Sequence, residues 1–347
     1  MAAARHILVT RFSAMGDVAM TVPVIKTVLA QNPHLHITFA SRPAFAAFFS
    51  GIPRLDFFAV DLNNTYKGLP GILKLFRALN KHGKFDSVAD LHDILRTKIL
   101  RNLFRLSGVA IKTVDKGRTE KRLLTRFPNK VLKPLKRTTE RYADVFRSLG
   151  FNVLLDDKLV KEDAPLTTDI VAVTGEKDRH WIGVTPFAQH KGKIYPLDRM
   201  EQVIAKLAEK DVKVFLFGGT PLDKEICANW ELKYNNVVSV IGKLNMPQEL
   251  NLINQLDVML SMDSAGMHLA SLRGTPVVSV WGATHYYAGF LGYGQSENNI
   301  VADNIECRPC SVYGNKPCFR GDYACMYNIE PITIVNQVMK VASQDEN

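Results

Sequence analysis

Several groups of residues have the types and spacing to do chemistry. Asp263 and Ser264 close the apolar run Val258 to Met262, and both types cap helix N-termini. The small residues Ser264, Ala265 and Gly266 would let an anion approach the bare N–H groups of a helix starting there, and a phosphate or pyrophosphate is the natural guest. His268 lies one turn further along that helix; a lone helical histidine is more often a packed residue than a ligand contact. Asp17 follows Gly16 at another helix start, where an aspartate is either a cap or a base placed to take a hydroxyl proton. Asp90 and His92 end a third apolar run and lead into Arg96 and Lys98, which suit either an anionic ligand or an ordinary solvated helix face. Cys307, Cys310, Cys318 and Cys325 follow the pattern C-x2-C-x7-C-x6-C in a Gly- and Pro-rich segment. The opening C-x2-C is compatible with a structural zinc knuckle, although the second pair is loosely spaced.

These residues need strands and helices to hold them. Val258 to Met262 and Pro276 to Trp281 read as buried strands flanking a short helix closed by Gly274. Near the N-terminus, His6 to Phe12 reads as a strand, Ser13 to Gly16 as a tight turn and Asp17 to about Gln31 as a helix. Further strands are expected at Leu35 to Ser41, Phe57 to Val60, Ser87 to Leu91, Val109 to Val114, Trp181 to Phe187, Val212 to Gly218 and Val237 to Gly242. Helical patterns lie between them at Leu69 to His82, Leu95 to Leu106, Leu197 to Lys210, Pro221 to Leu232 and Pro247 to Leu256, with a closing helix at Pro331 to Ala342. Alternation of this kind predicts an α/β chain built on doubly wound parallel sheets. Leu155 to Asp178 is polar and aperiodic, and reads as a linker with at most one short element. The first turn has only Gly16 and lacks G-x-G-x-x-G, so a dinucleotide-dependent dehydrogenase is disfavoured.

Two stretches, ILVTRFSAMGDVAMTVPVIKTV near the N-terminus and DSAGMHLASLRGTPVVSVWG after residue 262, together resemble the heptosyltransferase-like glycosyltransferases, family 9. The family's pattern more usually has Gly two residues after the Asp; here Ala265 takes that place and still leaves the backbone approachable. The resemblance implies a GT-B fold, two Rossmann-like domains facing a central cleft. The expected boundaries are 1–160 for an acceptor-binding domain, 161–330 for a nucleotide-sugar-binding domain and 331–347 for a helix packing back toward the first. It implies an inverting, metal-independent transfer of heptose from a nucleotide-heptose, ADP-heptose in particular, to the lipopolysaccharide inner core. Asp17 would be the base. Thr185, Lys193, Asp223, Asp263, Ser264, Ala265, Gly266 and His268 would face the donor, and Asp90, His92, Arg96 and Lys98 the acceptor. Lys191 and Glu225 compete with Lys193 and Asp223 for their assignments. No cofactor is expected for catalysis. Two alternatives stay open: a non-catalytic nucleotide- or glycan-binding protein on the same fold, and a family member that transfers a different sugar.

Composition agrees with two ordinary globular domains: 347 residues, 46% apolar and 22% charged. No apolar run reaches the roughly 18 residues of a membrane span, and MAAARHILVTRF has no secretory h-region, so a cytoplasmic protein is expected. The formal net charge of +10 points to an anionic partner. Much of it lies between Lys112 and Arg141, where basic residues are opposed only by Asp115, Glu120 and Glu140. Such a run is usually a solvated, mobile surface; for an enzyme acting on an anionic glycolipid it is also the expected docking face on the inner membrane, with no nucleic acid involved.

Overall fold

Parallel sheets form twice along the chain, in a computed structural model that describes residues 5–343. The first is built from β1 (Arg5–Thr10), β2 (Leu35–Ser41), β3 (Leu55–Ala59), β4 (Ser87–Asp90) and β5 (Ala110–Thr113), in the order β3-β2-β1-β4-β5. Helices α1 (Met15–Ala19), α2 (Thr21–Gln31), α3 (Gly68–His82) and α4 (Leu95–Leu106) join these strands, followed by α5 (Arg118–Leu124) and α6 (Thr138–Ser148). The expected single helix from Asp17 is in fact α1 and α2, broken at Met20. Pro23 explains the break, because its ring would clash with the carbonyl four residues back, at Ala19.

After α7 (Thr168–Thr174) come β6 (His180–Thr185), α8 (Leu197–Ala208), β7 (Val212–Leu216), α9 (Pro221–Lys233), β8 (Val237–Ser239) and α10 (Met246–Gln255). They are followed by β9 (Val258–Met262), α11 (Ala265–Leu272), β10 (Val277–Trp281), β11 (Ile300–Ala302), α12 (Ala324–Tyr327) and α13 (Pro331–Ala342). The second sheet has the order β11-β10-β9-β6-β7-β8. Every strand pairing in both sheets is parallel. The strands at the centre of the second sheet are buried along their length, as the continuous apolar runs of a sheet covered on both faces require.

The chain divides into two compact units at boundaries other than the expected ones. Residues up to Lys116 and Lys136–Asp156 form one, and Gly117–Leu135 together with everything from Asp157 onward forms the other. Leu124 and Leu135 draw the 117–135 excursion into the second unit by burying against Ala288, Tyr287 and Phe290. Leu135 N–H also donates to the Tyr287 carbonyl at 2.9 Å. The basic run is therefore not one solvated face: Lys121 is buried with its ammonium over the Phe290 ring, and Arg141 is buried on α6. Helix α13 lies in the second unit and packs on α8 and on β9, β10 and β11, where the expectation sends it toward the first. Its Ile334, Val335, Val338 and Val341 join that unit's core. Leu8, Phe12, Leu75, Val88 and Phe104 are central to a core of the first unit.

Candidate functional site

Each sheet has one place where successive connections leave in opposite directions, and open parallel sheets take their ligands at the carboxyl ends of the strands there. In the first sheet this is between β1 and β4, where Thr10 pairs with Asp90. In the second it is between β6 and β9, where Thr185 pairs with Ser261. The sequence-predicted residues fall largely at these two points. Asp17, Asp90 and His92 are at the first, and Thr185, Asp263 and the start of α11 are at the second.

At the first point Asp17 sits in α1 with its side chain 28% exposed. Both of its contacts fall on Oδ2, which accepts the Ala14 N–H at 3.2 Å and pairs with Arg11 Nη2 at 2.6 Å. Oδ1 takes part in neither. Arg11 follows β1, is almost fully buried, and donates through Nη1 to the Leu91 carbonyl at 2.6 Å. Its guanidinium lies 5.7 Å from the centre of the Tyr142 ring. Burial works to lower its pKa, and Tyr142 and Asp17 outweigh that and raise it. Arg11 had a signal in the sequence, a charge directly after an apolar strand and six residues before Asp17, but the expectation left it out.

Asp90 is fully buried and fully engaged. Its Oδ1 accepts the His92 and Asp93 N–H groups at 2.9 Å each, while Oδ2 takes Arg101 Nη1 at 2.8 Å. A carboxylate held this way organises the loop after β4 and has little left for a ligand. His92 accepts the Phe12 N–H through Nδ1 at 3.3 Å, which places its proton on Nε2, 3.4 Å from Ser13 Oγ. Burial, with the Arg11 and Lys116 charges, pushes its pKa down to about 3, so the ring is neutral at physiological pH. Arg96 lies half-buried in the first turn of α4, and Lys98 stands 3.8 Å from Asp93.

The second point is built from backbone and small residues. Gly266 packs directly on Thr185, and a Cβ built there would overlap the threonine side chain. Ser264 stands at the N-cap of α11 but makes no side-chain capping bond; its Oγ lies 3.4 Å from Ser261 Oγ. The expected capping role of Ser264 is thus corrected. The backbone at this residue is extended, and its hydroxyl turns toward the strand. Lys193 closes a short turn, Lys191–Lys193, and its Nζ is 2.9 Å from Asp263 Oδ2. The pair neutralises the buried Asp263 carboxylate and holds the lysine beside the start of α11. Lys191 instead lies over the Tyr323 ring at 4.8 Å, which separates the two lysines that the sequence left in competition. His268 is buried on α11.

Asp223 makes its contacts through a single oxygen. It forms a capping box with Thr220, and its Oδ2 accepts the Gly219 and Thr220 N–H groups at 3.0 Å each. All four clustered cysteines are unpaired thiols lining one pocket with Arg308, Arg320 and Phe319. Among the described residues no group of three His, Cys, Asp or Glu side chains is placed to hold a metal ion.

Comparison with known proteins adds an independent line. The model of glycosyltransferase family 9 (heptosyltransferase) matches residues 72–317. The lipopolysaccharide core heptosyltransferase OpsX of Haemophilus influenzae is 22% identical over 292 residues, which is 80% of this chain and 79% of that protein. A solved family 9 glycosyl transferase from Veillonella parvula superposes with a TM-score of 0.75 at 19% identity, covering 99% of this chain and 98% of that one. The ADP-heptose lipopolysaccharide heptosyltransferase II of E. coli does so with a TM-score of 0.72 at 17% identity, covering 99% and 100%. The architecture shared with these structures is GT-B, two Rossmann-like units in one chain.

Proposed function

Because the chain belongs to glycosyltransferase family 9, the heptosyltransferases, we propose that it is an inverting transferase. It moves a heptose from a nucleotide-heptose, ADP-heptose in particular, onto a sugar of the lipopolysaccharide inner core. The acceptor hydroxyl attacks the anomeric carbon from the face opposite the diphosphate. As the new C–O bond forms, the bond to the phosphate oxygen breaks, the hydroxyl proton passes to Asp17 and the nucleoside diphosphate leaves. The observation that carries this reading is the state of Asp17. One carboxylate oxygen is fixed by Arg11 and the Ala14 N–H, while the other lies outside both contacts.

Leaving-group charge falls to the α11 N-terminus and to Lys193. Asp263 compensates part of the lysine charge, so the diphosphate must share Lys193 with it. With those groups in place the transfer needs no divalent ion, and a chelator should leave turnover unchanged. The proposal is tested by incubating the enzyme with ADP-heptose and heptose-deficient core oligosaccharide and weighing the product by mass spectrometry. A mass gain of one heptose is expected. Saturable donor binding with no transfer would make this a binding protein on a transferase fold. Transfer only from another nucleotide-sugar would keep the mechanism and change the donor.

A further inference from the structure

The excursion Gly117–Leu135 carries apolar side chains where a loop in water should not have them. Phe127 is 55% exposed, Leu132 54% and Phe319, from the cysteine segment, 60%. The Phe127 and Phe319 rings meet at 5.5 Å between centroids, so two aromatics from distant parts of the second unit make one exposed patch. Pro128, Val131 and Pro134 are exposed beside them. The segment is not simply loose. Its ends are held where Lys130 Nζ donates to the Glu306 carbonyl at 3.1 Å, Val131 N–H donates to the Leu123 carbonyl at 3.1 Å and Leu135 buries on Tyr287 and Phe290. Between these anchors the apolar tips face outward.

The charge on the excursion is mostly positive. From Gly117 to Leu135 the only acidic residue is Glu120, against Arg118, Lys121, Arg122, Arg126, Lys130 and Lys133. Lys121 and Lys130 are turned inward, while Arg122, Arg126 and Lys133 are exposed on the same excursion as the apolar tips. Apolar side chains gain by leaving water for the acyl boundary, and cations gain from an anionic headgroup layer. The two together discriminate a negatively charged bilayer from a soluble anion, which would satisfy the cations and leave the apolar tips wet.

We propose that Phe127, Leu132 and Phe319, flanked by Arg122, Arg126 and Lys133, form a wedge that seats the second unit on an anionic lipid bilayer. This rests on the proposed function only for its purpose, delivery of the enzyme to a membrane-borne acceptor; the binding itself is read without catalysis. The probes are vesicles of phosphatidylethanolamine and phosphatidylglycerol, with pure phosphatidylcholine vesicles as the neutral control. Co-flotation of the full chain with the anionic vesicles is expected, falling with added salt, and none with the neutral ones. The variant Phe127→Ser/Leu132→Ser/Phe319→Ser should lower the anionic partition about tenfold or more, and Arg126→Glu/Lys133→Glu should abolish it. In the Phe127→Trp variant the indole emission should shift to the blue on adding vesicles and be quenched by brominated acyl chains.

These substitutions are at exposed positions, and circular dichroism checks each fold. The triple Ser variant should retain transfer to a water-soluble core oligosaccharide while losing transfer to vesicle-borne acceptor. Several outcomes would overturn the wedge: wild-type chain that ignores anionic vesicles, variants that bind them as well as wild type, or indole emission in Phe127→Trp that stays water-like. So would a lipid-free dimer in sedimentation that the triple Ser variant dissolves, because the patch would then be an interface between copies. A wild-type enzyme that binds vesicles but transfers no sugar would sink the proposed function and leave the wedge standing.

Discussion

The two switch points are built by opposite means. At the first, charged and polar side chains hold one another: Arg101 and two backbone N–H groups fix Asp90, Asp90 fixes the loop bearing His92, His92 braces the Phe12 N–H, and Arg11 grips Asp17. At the second, bare backbone and small residues do the work, with Gly266 against Thr185 and Ser264 without a capping bond. One arrangement presents a carboxylate at a defined angle. The other leaves room and N–H groups for something large and negative. A transferase needs both, a base for one substrate and an anion cradle for the other, and mutations should affect the two points differently.

The largest separation should come from Asp17. A general base contributes about 100- to 10,000-fold, so Asp17→Asn should lower kcat by that order and leave the nucleotide-sugar dissociation constant nearly unchanged. Asn keeps the size and an acceptor for the Ala14 N–H but removes the ionic partner of the buried Arg11, so the melting temperature should fall as well, and the unchanged donor affinity is what separates lost chemistry from lost fold. Turnover near wild type would erase the contrast between the two points. Asp90, with both oxygens engaged, could not then serve as substitute base, and neutral His92 would be the group to test.

Gly266→Ala should act on the second point through packing. The new methyl meets the Thr185 side chain, and overpacking of that kind costs about 1–3 kcal/mol. Denaturant midpoints measure it, and Thr185→Ala in the same chain should restore part of the loss. A glycine present only to bare the backbone for an anion predicts something else: normal stability in Gly266→Ala, weaker donor binding and no rescue. This is a correction to what the small residue suggests, since its proximate reason is a neighbouring side chain.

Much of this was legible beforehand. Buried parallel strands are continuous apolar runs, so β9, β10 and the long helices α4 and α13 could be placed from composition and punctuation alone. What escaped depends on partners distant in sequence. Nothing local tells that Leu124 and Leu135 bury against Tyr287 and Phe290, and their charged neighbours made the segment look solvated. Helix α6 hides Tyr142 and Phe146 in a similarly charged stretch. At the sites, residue types were readable but hydrogen-bond assignments were not. Asp17, Asp90 and Asp223 look alike in sequence; geometry shows Asp90 with both oxygens engaged, while Asp17 and Asp223 each make contacts through one oxygen and differ in the Arg11 ion pair that only Asp17 has.

A smaller effect follows from the neutral state of His92. Its folded pKa of about 3 lies below an unfolded value of about 6.5, so the unfolded chain binds the proton first. The stability it contributes is complete above pH 6.5 and is lost as pH falls toward 3. Between pH 7.5 and pH 5 this amounts to about 2 kcal/mol from His92 alone. His92→Gln should flatten that part of the pH–stability curve, read from urea midpoints. An unchanged slope would mean that the ring is not held neutral, and the first switch point would be less rigid than its hydrogen bonds imply.

The smallest expected effect tests the second point most finely. Ser264 occupies the N-cap of α11 without capping, whereas Asn245 caps α10 with its side chain accepting the Gln248 N–H. Asn245→Ala should therefore cost about 1 kcal/mol in stability, and Ser264→Ala only a few tenths. If the Ser264 hydroxyl is kept for the donor's phosphates, the order reverses in binding: Ser264→Ala should weaken nucleotide-sugar affinity several-fold, and Asn245→Ala should leave it alone. Thermal melts and isothermal titration on the two variants give both numbers. A full capping loss at Ser264 with unchanged affinity would make that end of α11 an ordinary helix start. The anion cradle would then rest on Lys193 and the backbone of Ala265 and Gly266.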